Sequence, residues 1–208
     1  NMWSMFNHCS NLTKVELPNA ENVTDMRYMF QGCTNLTKVE LPNTGNVTDM
    51  ESMFKGCANL KQVSLPNTGN VTNMSNMFRD CTNLKEVSLP HTEKVTCIGY
   101  NRMRRLAKIG HMMRHMAEIG DRMRHMDRMR RRFTDIYSMD GGMFEGCVNL
   151  TKVELPTLNT SNLEDMSMSF YRCSSLEKVP FDLNKLKKTA NTTGMFNGCT
   201  KLISQFSK

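Results

Sequence analysis

Seven cysteines mark one point of a repeating pattern: Cys9, Cys33, Cys57 and Cys81 lie 24 residues apart, and Cys147, Cys173 and Cys199 lie 26 apart. A fixed period of this length is the signature of stacked structural units, and it restricts the fold before any single motif is considered. Aligned on the cysteines, one unit reads Asn35-Leu36-Thr37-Lys38-Val39-Glu40-Leu41-Pro42, then Asn46-Val47-Thr48-Asp49-Met50, then Met53-Phe54 and Gly56-Cys57. Leu12, Leu36, Leu60, Leu84, Leu150 and Leu176 share one position, and Val15, Val39, Val63, Val87, Val153 and Val179 share another. Phe6, Phe30, Phe54, Phe78, Phe144, Phe170 and Phe196 share a third.

In Thr37-Lys38-Val39-Glu40-Leu41 apolar and polar residues alternate, as they do along a strand, and Pro42 ends the pairing because it has no amide to donate. Val47, Met50, Met53 and Phe54 follow at three- and four-residue spacing, which predicts a helical turn returning along the opposite side. One such unit cannot hide its apolar positions. Stacked copies bury them as continuous ladders. The expected fold is an α/β repeat: a leucine-rich-repeat-like solenoid of about seven 24–26-residue coils, interrupted by an α-helical insertion.

These units resemble the BspA-like leucine-rich repeats of bacterial surface proteins, in particular the class with a 26-residue repeat. The stretch Leu158-Asn159-Thr160-Ser161-Asn162-Leu163-Glu164-Asp165-Met166-Ser167 carries the family's Thr-Ser-Asn, apolar residue and Asp-Met-Ser pattern. The resemblance covers residues 2 to 97 and 134 to 203, and the 24-residue units depart from it by two residues. It implies a secreted or surface-displayed protein that mediates adhesion or protein contacts, and it implies no catalytic residues.

The cysteine register argues for a buried ladder of small apolar side chains rather than a disulfide framework. Cys97 stands apart: in Lys94-Val95-Thr96-Cys97-Ile98 it replaces the aspartate of Asn-Val-Thr-Asp-Met, which leaves a reactive thiol and an inert one both open. Sequons at Asn11, Asn22, Asn35, Asn46, Asn70, Asn73, Asn149, Asn159 and Asn191 mostly recur with the repeat, so periodicity accounts for them without glycosylation. Asp25, Asp49 and Asp165 open the return turn and are expected to cap it rather than act as catalytic acids. With no Gly-rich phosphate loop, zinc spacing or nucleophile signature, the chain is read as a non-enzyme without cofactor.

Between Cys81 and Cys147 the spacing is 66 residues instead of 24, so 42 are extra. The formal charge is +7, but residues 98–133 hold eleven Lys or Arg against three acids, so the basicity is local to them. The expected division is 1–97, first part of the solenoid; 98–133, basic Met/Arg-rich helical insertion; and 134–208, second part. Thr134-Asp135-Ile136-Tyr137-Ser138-Met139 resembles Thr48 to Met53, which places the resumption of the coil there. Ile109, Met112, Met116, Ile119, Met123, Met126 and Phe133 alternate three- and four-residue steps, a heptad-like seam broken only by Arg130.

Three uses of the insertion stand open. Its apolar stripe packs on the solenoid or on itself; or Arg114, Arg122, Arg124, Arg128, Arg130, Arg131 and Arg132 contact an acidic protein, a polyanionic glycan or an anionic membrane surface; or His111 and His115 with Met112 and Met116 bind Cu(I) or Ag(I). Nucleic acid is disfavoured, because few aromatics accompany the arginines. The function expected of the whole is an extracellular or cell-surface interaction and adhesion module. The alternative is a structural protein, a homo-oligomer formed through the insert helices or by end-to-end stacking of coils through Met2 and Lys201–Leu202.

Overall fold

The computed structural model describes residues 1–99 and 141–203. They belong to one compact unit made of Asn1–Tyr100 and Gly141–Lys208. The heptad-like seam, the two His/Met pairs and the seven arginines named as contacts fall within 100–140, outside the described residues, and so do Thr134 to Met139.

One short strand forms at five of the six aligned valine positions, and none around Val179: β1 (Lys14–Glu16), β2 (Lys38–Glu40), β3 (Gln62–Ser64), β4 (Glu86–Ser88) and β5 (Lys152–Glu154). All pairing among them is parallel and in register. Val15, Val39 and Val63 sit side by side in the β1-β2-β3 sheet, and Val87 faces Val153 in the β4-β5 sheet. In-register pairing follows from the repeat, because shifting a strand by one residue would turn its valine outward and its two polar neighbours inward.

The return side differs from expectation. Where a helical turn was predicted, each coil runs through consecutive turns whose alternate amides serve two purposes. The N–H groups of Met26, Tyr28, Phe30 and Gly32 donate to the carbonyls of Asp49, Glu51, Met53 and Lys55 in the next coil. Between them, the N–H groups of Met29, Gln31 and Cys33 close turns on the carbonyls of Met26, Tyr28 and Phe30. A helix would commit every amide to its own segment, so it could not also tie coil to coil. The chain makes the necessary reversals by entering the left-handed region at Tyr28, Ser52, Asn76 and Met168, and again at Gly32, Gly56, Asp80, Gly146, Arg172 and Gly198. Among the described residues the one α-helix is α1 (Thr200–Ile203).

Inside, each repeated position becomes a file of like side chains. Phe6, Phe30, Phe54, Phe78, Phe144, Phe170 and Phe196 stack with ring centroids 5.2 to 5.5 Å apart. Beside them run Leu36, Leu60, Leu84, Leu150 and Leu176, all fully buried. The cysteines are free thiols, as the ladder reading required, and all but Cys9 are buried. Each buried ladder thiol donates to the phenylalanine carbonyl of the preceding coil: Cys57 Sγ to Phe30 O at 3.0 Å and Cys147 Sγ to Phe78 O at 3.0 Å are two of six such contacts. Burial pushes the thiols of Cys33 and Cys199 up to about 11, and moves those of Cys57, Cys81, Cys147 and Cys173 in the same direction.

A further file, of threonines, lies beside the strands. Thr44, Thr68 and Thr92 are buried, and the hydroxyls of Thr44 and Thr68 donate to the carbonyls of Asn67 and His91 one coil on. Several sequon asparagines are spent the same way: the side-chain amides of Asn46, Asn70 and Asn149 donate to the carbonyls of Glu21, Gly45 and Thr82.

Two outcomes test this packing. Phe54→Ala or Leu60→Ala should each destabilise the protein by about 2–5 kcal/mol through lost burial and a residual cavity, read from denaturant unfolding; a loss near the surface-substitution range at both sites would reject the register. Thiol titration near pH 8 should label Cys9 alone in the folded protein and the remaining cysteines only after unfolding, because the thiolate is the reacting form and burial suppresses it. Labelling that requires prior reduction would reject the free-thiol ladder.

Candidate functional site

A strand points alternate side chains to opposite faces. With the valines turned inward, the flanking residues form two outward rows: Lys14, Lys38, Gln62, Glu86 and Lys152, beside Glu16, Glu40, Ser64, Ser88 and Glu154. Lys14 pairs with Glu16, Lys38 with Glu40 at 2.5 Å and Lys152 with Glu154 at 2.6 Å. Hydrogen bonds from Lys38 and Lys152 hold the Glu40 and Glu154 carboxyls below the ordinary carboxylate range. Solvent screens such exposed pairs, so their use lies in shaping the face rather than in stability.

The middle of the face is different. A hollow of about 570 Å³ lies over β2 to β5 and is lined by Lys61, Gln62, Val63, Ser64, Lys85, Glu86 and their neighbours. Beneath it no backbone hydrogen bond joins residues 61–65 to 85–89, whereas the Leu41 amide donates to Ser64 O and the Leu89 amide to Glu154 O on either side. The two coils remain tied at both ends of the gap, by the Asn83 amide on Ala58 O at 3.1 Å and by the Thr68 hydroxyl on His91 O. Val63 is half-buried, while Val15, Val39, Val87 and Val153 are buried.

On the return side, the expected caps are present as side-chain turns. Asp25, Asp49 and Asp165 each accept the amide two residues ahead, from Arg27, Glu51 and Ser167, at 2.9 to 3.0 Å. Asn73 and Asn191 do the same for Ser75 and Thr193. Cys97 occupies this file, between Asn73 and Asp165. It is buried, with its Sγ 3.0 Å from Ser75 Oγ, so the inert reading describes it. A thiol is a weak acceptor, and the amide that a carboxylate would hold, Gly99 N–H, turns instead to Asp165 O at 2.9 Å. This is where the insertion leaves the coil.

The coil closes again directly. Ile98 fills the slot of Met50 and Met143 that of Met53, and the Met143 amide donates to Ile98 O at 2.8 Å as Met53 does to Met50. The intervening residues therefore replace a two-residue turn. Met143 thus belongs to the coil on the returning side, and the stretch 134–139, where the repeat pattern placed the resumption, lies outside the described residues. Both stems lie hard against the next coil: a Cβ on Gly99 would overlap Asp165 Oδ1 and the Ser167 amide, and one on Gly142 would overlap Met168 O. Next to the returning stem, Arg79 Nη2 lies 3.2 Å from Glu145 Oε1, and burial raises the Glu145 pKa despite that partner.

Among the described residues no group of three or more His, Cys, Asp or Glu is placed to hold a metal ion. No described helix is long and apolar enough to cross a membrane. Nothing in the sequence pattern marked the hollow, although the replacement of Thr13, Thr37 and Thr151 by Lys61 and Lys85 at one register position was visible there.

Parallel in-register strands, buried leucine files and coil-to-coil bonding define a leucine-rich-repeat solenoid. Residues 1–108 and 111–208 match the family described as a Mycoplasma protein of unknown function, DUF285, and the chain belongs to this family. Its fold is similar to that of a leucine-rich repeat protein from Bacteroides ovatus, with a TM-score of 0.50, 20% identity, and coverage of 84% of this chain and 33% of that one. A leucine-rich repeat protein of T. pallidum matches at 18% identity and a TM-score of 0.46, covering 94% of this chain and 81% of its own. The chain thus spans about a third of the Bacteroides protein's length. No curated protein matches the sequence. The resemblance to BspA-like repeats stands.

Proposed function

We propose that this protein is a non-enzymatic interaction module, secreted or displayed at a cell surface, that binds a protein partner through its strand face. The observation that carries the reading is the division of labour within each coil. The same backbone that buries Val39 or Val153 presents two outward rows of charged and hydroxyl side chains, and these surround a hollow of about 570 Å³. Ligand sites are concave and hold a few placed polar groups, and stacked repeats offer such a surface on a rigid support. The phenylalanine file is read as seven coils.

The basic insert is a second contact element in this proposal, reaching an acidic protein or polyanionic glycan through Arg114, Arg122, Arg124, Arg128, Arg130, Arg131 and Arg132. What supports it is the concentration of charge: +8 within 98–133, against about −1 for the rest of the chain. Its exit and return stems meet at one coil, so an appended element adds to the solenoid without interrupting its packing.

Two measurements test these parts separately. Ser64→Arg with Ser88→Arg fills the hollow with bulk and charge, and should lower binding to immobilised extracellular matrix proteins, while Asn22→Arg on an exposed turn should not; equal binding by all three proteins would reject the strand face. Heparin binding should weaken steeply between about 50 and 200 mM salt, since counterion release drives such association. Replacing Arg128, Arg130, Arg131 and Arg132 with Gln should flatten that dependence with the melting temperature unchanged. Full heparin binding by the quadruple variant would remove the insert as the polyanion site.

A further inference from the structure

We propose that the break between β3 and β4 is a recognition slot for an extended protein segment bearing an acidic side chain, which docks between Lys61 and Lys85. This rests on the strand-face reading above and names the partner chemistry of its central part.

The lysines carry the argument. At their register position three other coils hold Thr13, Thr37 and Thr151 and a fourth holds Glu177; the hydroxyls of Thr37 and Thr151 bond back to the carbonyls of Thr13 and Lys85 at 3.0 and 3.2 Å. Lys61 and Lys85 stand on the two coils that flank the break; both are exposed, and neither has a carboxylate partner among the described residues. Two ammonium groups on adjacent coils repel each other, and an anion seated between them removes that repulsion and gains charge-assisted hydrogen bonds. The lysines of the neighbouring strands, Lys38 and Lys152, are already occupied by Glu40 and Glu154.

Around these two groups the carboxylate row is interrupted. Ser64 and Ser88 stand where Glu16, Glu40 and Glu154 stand on the other strands, so an incoming acid meets hydroxyls in that row. Of the three carboxylates lining the hollow, Glu40 and Glu154 are paired with Lys38 and Lys152, and the charge of the third, Glu86, acts on Lys152. The backbone narrows the class further. The amides of Leu65 and Lys85 and the carbonyls of Lys61 and Ser88 make none of the cross-coil bonds that their counterparts make in other coils. A sheet normally consumes these groups, and a site offering both donors and acceptors complements an extended peptide backbone. Val63, half-buried at the gap, supplies an apolar contact. Two lysines beside a glutamate are too few charges for a long polyanion, which the insert suits better.

The test uses the full chain carrying Arg128, Arg130, Arg131 and Arg132→Gln, so that the insert does not contribute. Its probes are a short fluorescent peptide alternating Glu with Thr and its Gln-for-Glu counterpart, followed by anisotropy. The acidic peptide should bind about tenfold more tightly than the neutral one, a difference that one well-placed charge pair can supply. Lys61→Gln with Lys85→Gln should abolish the preference, Lys14→Gln should leave it intact, and Glu86→Lys should strengthen acidic binding, which gives an independent variant with a gain rather than a loss. Equal affinity for the two peptides overturns the slot's charge selection; if Ser64→Arg with Ser88→Arg then removes both, the strand face itself still stands. An acidic preference that survives the double lysine variant overturns the slot. Heparin that binds this chain more tightly than the peptide and loses affinity with the double lysine variant overturns the peptide in favour of a sulfated glycan.

Discussion

Each coil of this protein is completed by its neighbour. The alternating amides of the return segment divide their bonds between closing turns locally and reaching the next coil, and on the other side the strands pair with their neighbours within the β1-β2-β3 and β4-β5 sheets. A single unit would leave these donors and acceptors to water. Stacking satisfies them, and it does so only when identical positions align, which is why phenylalanine meets phenylalanine and each buried thiol meets the same carbonyl. The left-handed conformation of Tyr28, Ser52 and Met168 is maintained by the same bonds: their amides donate to the carbonyls of Glu51, Ser75 and Thr193 at 2.9 to 3.0 Å. Such a conformation costs roughly 1–2 kcal/mol per non-glycine residue, so it persists where coil-to-coil bonding over-determines it.

That dependence also explains how a long insertion is accommodated. Residues between Ile98 and Met143 stand in for two turn residues, and three backbone bonds carry the flanking coils past the opening: Phe78 N–H to Met143 O, Met143 N–H to Ile98 O and Phe144 N–H to Ser169 O. The side-chain turn is the local cost. Cys97 takes an aspartate's place and cannot hold the amide two residues on, which frees the chain to leave. Loop closure cost grows only slowly with length, so an opening at this point admits many residues as readily as a few.

Much of the core was legible in the sequence because ladders repeat what faces inward. The leucine, valine, phenylalanine and cysteine files, the strand positions and the capping role of Asp25, Asp49 and Asp165 all follow from one alignment. The return side was misread because three- and four-residue spacing is common to a helix and to a run of tight turns; what separates them is the left-handed residues, and those are Tyr28, Ser52 and Met168 as often as glycine. The gap between β3 and β4 left no trace in the strand pattern, because Gln62-Val63-Ser64 and Glu86-Val87-Ser88 alternate as regularly as their neighbours.

Within one chain, the positions that differ from coil to coil separate packing from recognition. Inward positions tolerate little variation, since a changed side chain would lose contact with the coils on both sides, and close-packed interiors respond to single methylenes. Outward strand positions carry no such restriction: one row reads Lys, Lys, Gln, Glu, Lys and the other Glu, Glu, Ser, Ser, Glu. The departures fall together at β3 and β4, on the two coils where Lys61 and Lys85 replace threonine and where the sheet opens. Sequence variation, unpaired backbone groups and an accessible valine therefore meet in one place on a scaffold that is otherwise regular, and stacking alone requires none of the three.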